Sequence, residues 1–83
     1  MIGIKGTGTA YVSRGNAYYY TQPLAEKDGF TAANSMAYLH DVTEGSRSIT
    51  IRYRYRDEAR IHTYVDYTVS FDASINDYRV VRR

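Results

Sequence analysis

Residues 49–56 read Ile49-Thr50-Ile51-Arg52-Tyr53-Arg54-Tyr55-Arg56, alternating apolar or aromatic with polar or cationic side chains through the whole stretch. Side chains of a β-strand point to opposite faces with a period of two. Ile49, Ile51, Tyr53 and Tyr55 therefore share one face, and Thr50, Arg52, Arg54 and Arg56 share the other. The pattern predicts a half-buried strand that carries a row of arginines on its open side.

The same alternation recurs downstream. Ile61, Thr63, Val65, Tyr67, Val69 and Phe71 alternate with His62, Tyr64, Asp66, Thr68 and Ser70, which predicts a second strand with its odd-numbered positions toward the core. Facing residues must then have numbers of equal parity. A three-residue turn at Asp57-Glu58-Ala59 meets this condition, pairing Tyr55 with Ile61, Tyr53 with Thr63, Ile51 with Val65 and Ile49 with Tyr67. A loop at 72–77 leads into a last strand over Tyr78 to Arg82.

Upstream, Ile2 to Ser13 alternates with Gly6 and Gly8 on its apolar side, as in a strand with a bulge or bend. Arg14-Gly15-Asn16 reads as a hairpin turn and Ala17 to Thr21 as a short return strand. With a two-residue loop, Val12 faces Tyr19, and Tyr18 and Tyr20 join Tyr11 on the outer face. Gln22 to Gly29 reads as a connection with a helical turn from Pro23 to Gly29. Ala32, Ala33, Met36, Ala37, Leu39 and Val42 form a helix-like stripe, with Thr31 as a cap and Gly45 as a left-handed stop, so residues 32–44 are expected to be helical. The expected fold is α+β in the order β-β-α-β-β-β: an antiparallel sheet of about five strands with one helix on one face, burying Met36 with Ile49, Ile51, Val65 and Val69.

Eighty-three residues make one small domain, 1–83, too small for a large buried active site. With 43% hydrophobic and 24% charged residues, the chain lacks the signature of disorder. No cysteine is present, which excludes a disulfide framework and a thiolate metal site and fits a reducing cytoplasm. No run approaches the length of a membrane span, and the N-terminus lacks an apolar leader, so a soluble, cytoplasmic protein without membrane partners is expected. The net charge is only +2, but nine of the eleven cationic side chains are arginine, and ten residues are tyrosine. Arginine pairs bidentately with carboxylate or phosphate and stacks on aromatic rings, and tyrosine suits exposed strands and interfaces. Arginine codons favoured by a GC-rich genome account equally well for the first bias.

The candidate partner-binding face comprises Arg52, Arg54, Arg56, His62 and Tyr64, with Tyr11, Tyr18 and Tyr20 as an extension. In the expected register Arg54 lies opposite His62, Arg52 opposite Tyr64 and Thr50 opposite Asp66. Arginine beside aromatic rings occurs at protein interface hot spots and on sheets that stack nucleic-acid bases, and it also solubilises a bare sheet face. Asp57, Glu58 and Asp66 compensate much of the local positive charge, which ranks a protein partner above nucleic acid. Catalytic and metal signals are weak. His40 and Glu44 make at most half a zinc site. His62 and Asp66 are about 13 Å apart along a strand. Gly3-x-x-Gly6-x-Gly8 lacks the remaining parts of a phosphate loop. No catalytic residue, metal or cofactor is expected. The sequence points to a non-enzymatic binding protein, an inhibitor or adaptor of the kind phages and mobile elements encode. A nucleic-acid-binding domain using the same face is the first alternative. A self-assembling protein, or a homodimer with a continuous sheet, is the second.

Overall fold

The computed structural model describes residues 11–56, 59–60 and 62–83. A helix, α1 (Arg14–Lys27), is followed by β1 (Ser35–His40), β2 (Ser48–Arg56), β3 (His62–Asp72) and β4 (Asp77–Arg82). The strands form one antiparallel meander in the order β1-β2-β3-β4, with α1 packed on one face. The fold is therefore α+β with one helix on an antiparallel sheet. Its described sheet has four strands where about five were expected. Most of the expected strand from Ile2 to Ser13 lies outside the described residues.

The helix replaces the expected first hairpin. Ser13 has extended backbone angles and its hydroxyl accepts from the Asn16 N–H at 3.0 Å, closing the first turn. Val12 before the cap and Ala17 in the next turn are both buried, so a hydrophobic staple fixes the entry angle. Ala17, Thr21 and Ala25, four residues apart, are the buried stripe. Their small size lets the helix backbone lie close to the sheet, a geometry that outweighs the strand propensity of Tyr18, Tyr19 and Tyr20. Pro23 sits inside the helix rather than at its start. Gly29, at φ +95°, ends it: its N–H donates to Glu26 O at 3.0 Å and the Phe30 N–H donates to Ala25 O at 2.9 Å. This is a Schellman closure, with Phe30 buried against Ala25 as its apolar clasp.

The expected helix over 32–44 is instead a turn, strand β1 and a loop. Thr31 N–H donates to Asn34 Oδ1 and Ser35 Oγ donates to Thr31 O, so Thr31 belongs to the turn that enters β1. Within β1 the period is two. Ala37 and Leu39 pack on the core, whereas Met36 is 65% exposed and lies on the other face, contrary to its expected burial. Gly45 does adopt a left-handed conformation, φ +72°, but within the β1–β2 connection.

The central hairpin has the expected faces in a different register. Tyr55 pairs with Thr63, Tyr53 with Val65, Ile51 with Tyr67 and Ile49 with Val69. Strand β2 ends at Arg56 and β3 begins at His62. The connection is odd in length, as parity requires, yet longer than three residues, so pairing is offset by two positions and every side chain keeps its face. Ile49, Ile51, Tyr53, Val65, Tyr67 and Val69 form the core with Val12, Ala17, Ala25 and Phe30. Fully burying Ile51 or Val69 is worth about 1.5–3 kcal/mol each. Thr21 is the one buried polar residue among those described, and its hydroxyl lies 2.9 Å from that of Tyr53. At the far end of the helix, Asp28 receives the Tyr67 hydroxyl and Arg82 Nε, the latter at 2.8 Å. Burial, and then the Asp28 carboxylate, push the Tyr67 phenol up to about 12. No helix of the described residues is long and apolar enough to cross a membrane.

Candidate functional site: the open face of the sheet

The face opposite α1 carries no covering element among the described residues. Register places its side chains in rows: Met36, Arg54 and Tyr64; then Tyr38, Arg52 and Asp66; then His40, Thr50 and Thr68. Arg56 and His62 pair at the end of the hairpin. Five expected site residues, Arg52, Arg54, Arg56, His62 and Tyr64, are thus gathered on one surface.

Their partners differ from those the expected register gave. Arg52 lies opposite Asp66, and the two form a bidentate pair, Nε to Oδ1 at 2.9 Å and Nη2 to Oδ2 at 3.1 Å. This contact keeps Arg52 charged and holds the Asp66 carboxyl below its usual range. The Arg52 guanidinium also lies over the Tyr64 ring at 5.1 Å, and that of Arg54 lies over the Tyr38 ring at 5.9 Å. His62 Nδ1 is 3.3 Å from the Tyr64 hydroxyl. Thr50 and Thr68 share a hydroxyl contact of 2.9 Å. Arg54 and Arg56 have no carboxylate partner among the described residues. Beside them lies a shallow depression of about 330 Å³, lined by Asn34, Ser35, Met36, Arg54, Arg56 and His62.

The three remaining expected site residues do not join this surface. Tyr18 packs on the core from α1. Tyr20, also on α1, donates to Asp77 Oδ1 at 3.2 Å and stacks on Tyr78 on the helix side of the sheet. Tyr11 lies beneath the Arg47 guanidinium, 5.4 Å away, beside the β1–β2 connection. A hairpin would have pointed Tyr18 and Tyr20 outward; the helix turns them toward the other face. Met36, Tyr38 and His40 take the place of the expected extension, and sequence reasoning missed them because their segment was read as helix. The signal was present: Met36, Tyr38 and His40 alternate with Ala37 and Leu39, the same period of two that marks the next strand.

No protein-family model matches this chain, and no curated protein or solved structure is significantly similar to it. The physical properties of the face therefore carry the functional argument. His40 lies on a strand and Glu44 in a loop, not on one helix face as their spacing suggested. His62 and Asp66 point to the same face, but Asp66 is committed to Arg52. What the face offers is an aromatic and thioether surface, Met36, Tyr38 and Tyr64, beside two cations that have no carboxylate partner among the described residues.

Proposed function

We propose that the protein is a non-enzymatic binding module that docks through the open face of its sheet onto a protein surface offering apolar side chains fringed by carboxylates. Inhibition or adaptor action by coverage is the mode that suits it. The observation that carries this reading is the composition of the face: Met36 is 65% and Tyr64 48% exposed, and in register they flank Arg54 on either side. Exposed apolar and aromatic area flanked by arginine is the make-up of an interface centre. Arg54 and Arg56 supply charge complementarity to acidic groups at the rim.

Neutralisation of Arg52 by Asp66 favours protein over nucleic acid. Phosphate binding strengthens with each uncompensated cation, and the central arginine of the face already has its carboxylate. Tyr64 and Tyr38 lie under guanidinium groups, which leaves their faces less open to stacked bases than those of a nucleic-acid platform.

The test compares wild type with the double substitution Arg54→Glu/Tyr64→Ala in affinity capture from a lysate of the source cells. A parallel titration uses labelled single- and double-stranded DNA and RNA at low and near-physiological salt. The expected result is a specific protein partner lost in the double variant, whose circular dichroism is unchanged, and no salt-sensitive nucleic-acid binding. Capture that survives the double substitution overturns the choice of face. Nucleic-acid binding that falls steeply with salt and disappears in the variant overturns the partner class.

A further inference from the structure

Among the described residues the outer edge of β4 has no neighbouring strand, and the groups it presents match those of another β4. Arg83 N–H donates to Asp66 O at 2.8 Å, and the register Tyr67 with Arg82, Val69 with Val80 and Phe71 with Tyr78 continues that ladder. In an antiparallel pair, alternate residues turn both backbone groups toward the neighbouring strand. Odd-numbered residues of β4 therefore serve β3, and Tyr78, Val80 and Arg82 present their N–H and C=O groups outward. The Tyr78 N–H agrees with this: it donates to its own Asp77 carboxylate at 2.7 Å rather than to β3.

The charges along this edge are sorted in a corresponding way. Arg79 pairs with Asp72 at 2.7 Å and Arg82 with Asp28 at 2.8 Å. Asp77 and Arg83 have no ion pair among the described residues. They lie at opposite ends of the strand and both have odd numbers, so the register starts both side chains from one face; the Asp77 carboxylate, at the strand's end, reaches round to accept from the Tyr20 hydroxyl of α1 at 3.2 Å. Two opposite charges placed this way cannot meet within one chain, but both meet their complements when a second copy runs antiparallel.

We infer that the protein forms a two-fold dimer by antiparallel pairing of β4 with the same strand of a second copy, centred on Val80, so that two sheets continue as one. A two-fold axis normal to the sheet keeps each residue on its own face, so facing residues have equal parity. Centring on Arg79 sets that cation against itself, and centring on Val81 sets Arg79 against the partner's Arg83. Centring on Tyr78 spends Asp77 on the partner's Arg79, which Asp72 already neutralises. Centring on Val80 places Asp77 opposite the partner's Arg83, Tyr78 opposite the partner's Arg82 and Arg79 opposite the partner's Val81. The residues with outward backbone groups then face one another. Val81, 49% exposed on the open face, is covered by an arginine stem. Tyr78 N–H passes to the partner's backbone as Asp77 gives up its contacts with that N–H and with the Tyr20 hydroxyl, which is left to solvent, and turns to the partner's Arg83. Both open faces lie on the same side of the continuous sheet.

Sedimentation velocity over a concentration series, on the full chain, tests the pairing with four proteins: wild type, Asp77→Arg, Arg83→Asp and the exchange Asp77→Arg/Arg83→Asp. Each single reversal sets like charges together twice in the dimer and is expected to weaken association by about tenfold or more, and the exchange to restore it. Val80→Pro, which removes an outward N–H while sparing the β3 ladder, is expected to be monomeric with an unchanged circular-dichroism spectrum. Wild type that stays monomeric at high concentration overturns the inference, as does an exchange variant that fails to regain dimer while remaining folded. The docking variant Arg54→Glu/Tyr64→Ala should dimerise like wild type, so failure of the docking proposal and failure of the dimer are separately visible.

Discussion

The contact that locks the helix to the sheet can be dissected by a double-mutant cycle at Thr21 and Tyr53. Thr21 is fully buried, and its hydroxyl donates to Ala17 O at 2.7 Å, so the Tyr53 hydroxyl, 2.9 Å away, donates to Thr21 Oγ1. Thr21→Val removes the acceptor and leaves the Tyr53 hydroxyl buried with nothing to bond. An orphaned buried donor costs about 1–3 kcal/mol, so a loss of about 2 kcal/mol is expected. Tyr53→Phe removes the donor instead. Thr21 keeps its bond to Ala17 O, and the loss should be only about 1 kcal/mol, the net worth of one hydrogen bond. With both substitutions no polar group is left unpaired, so the double variant should be more stable than Thr21→Val alone. Urea unfolding followed by circular dichroism measures all of the differences through the midpoint, with an unchanged slope. In thermal unfolding, Thr21→Val should lower Tm by roughly 8–16 °C for a domain of this size. If Thr21→Val costs no more than Tyr53→Phe, or if the two losses simply add, the hydroxyls are not coupled and this contact does not hold the helix to the sheet.

Acid stability should depend on Asp28 and Asp72. The Tyr67 hydroxyl and Arg82 hold the Asp28 carboxyl below its usual range, and Ser74 with Arg79 brings that of Asp72 down to about 2. A carboxyl lowered in the folded state contributes stability that is complete above its unfolded value, about 4, and lost as pH falls through the folded value. Urea midpoints should therefore fall below pH 4 in wild type and fall less steeply in Asp28→Asn and Asp72→Asn; identical slopes would refute the pairing. At the alkaline end the sign reverses. The raised Tyr67 phenol contributes below pH 10, and that contribution should fade from about 10 to 12 unless Tyr67→Phe has removed it. Gly29→Ala forces a side chain onto φ +95° at the helix stop and should cost about 1 kcal/mol or more, read from the urea midpoint; a neutral result would mean that the Schellman closure is not needed.

How much of this fold could be read from the sequence depended on whether one period dominated its segment. From residue 48 onward the two-residue period was unopposed, and it correctly assigned the faces of β2 and β3 and the existence of β4. Before residue 48, local signals conflicted. Gly15-Asn16 ahead of three tyrosines has the chemistry of a hairpin, yet Ser13 as cap, the staple of Val12 with Ala17, and the stripe Ala17, Thr21, Ala25 describe a helix. Tertiary contact decides between them: that stripe seats against Tyr53 and its neighbours only when helical, and the tyrosines find room around it. In residues 32–44 the error ran the other way. Alanine-rich spacing imitated a helix, but β2 needs a partner on its second edge, and pairing with Ser35–His40 supplies it. Both misreadings come from the same source, short segments whose intrinsic preference is weaker than the packing they enter.

The candidate site was legible to the same degree, for a related reason. Parity assigns a side chain to a face, and parity is unaffected by an offset of two, so Arg52, Arg54, Arg56, His62 and Tyr64 were placed together correctly. Partners depend on register itself, which the length of the connection sets. The offset exchanged the expected opposition of Arg52 and Tyr64 for the ion pair of Arg52 with Asp66, and turned a run of free arginines into a neutralised centre with cations at one end. That change bears directly on the proposed docking role. A row of uncompensated arginines would favour phosphate, whereas a neutral aromatic centre with Arg54 and Arg56 at its border favours a protein surface of mixed apolar and acidic character. If β4 pairs as inferred, two such centres lie on one side of a continuous sheet. A partner presenting two copies of the complementary surface would then bind with the avidity of both, and the monomeric Val80→Pro variant would lose that gain while keeping the affinity of a single face.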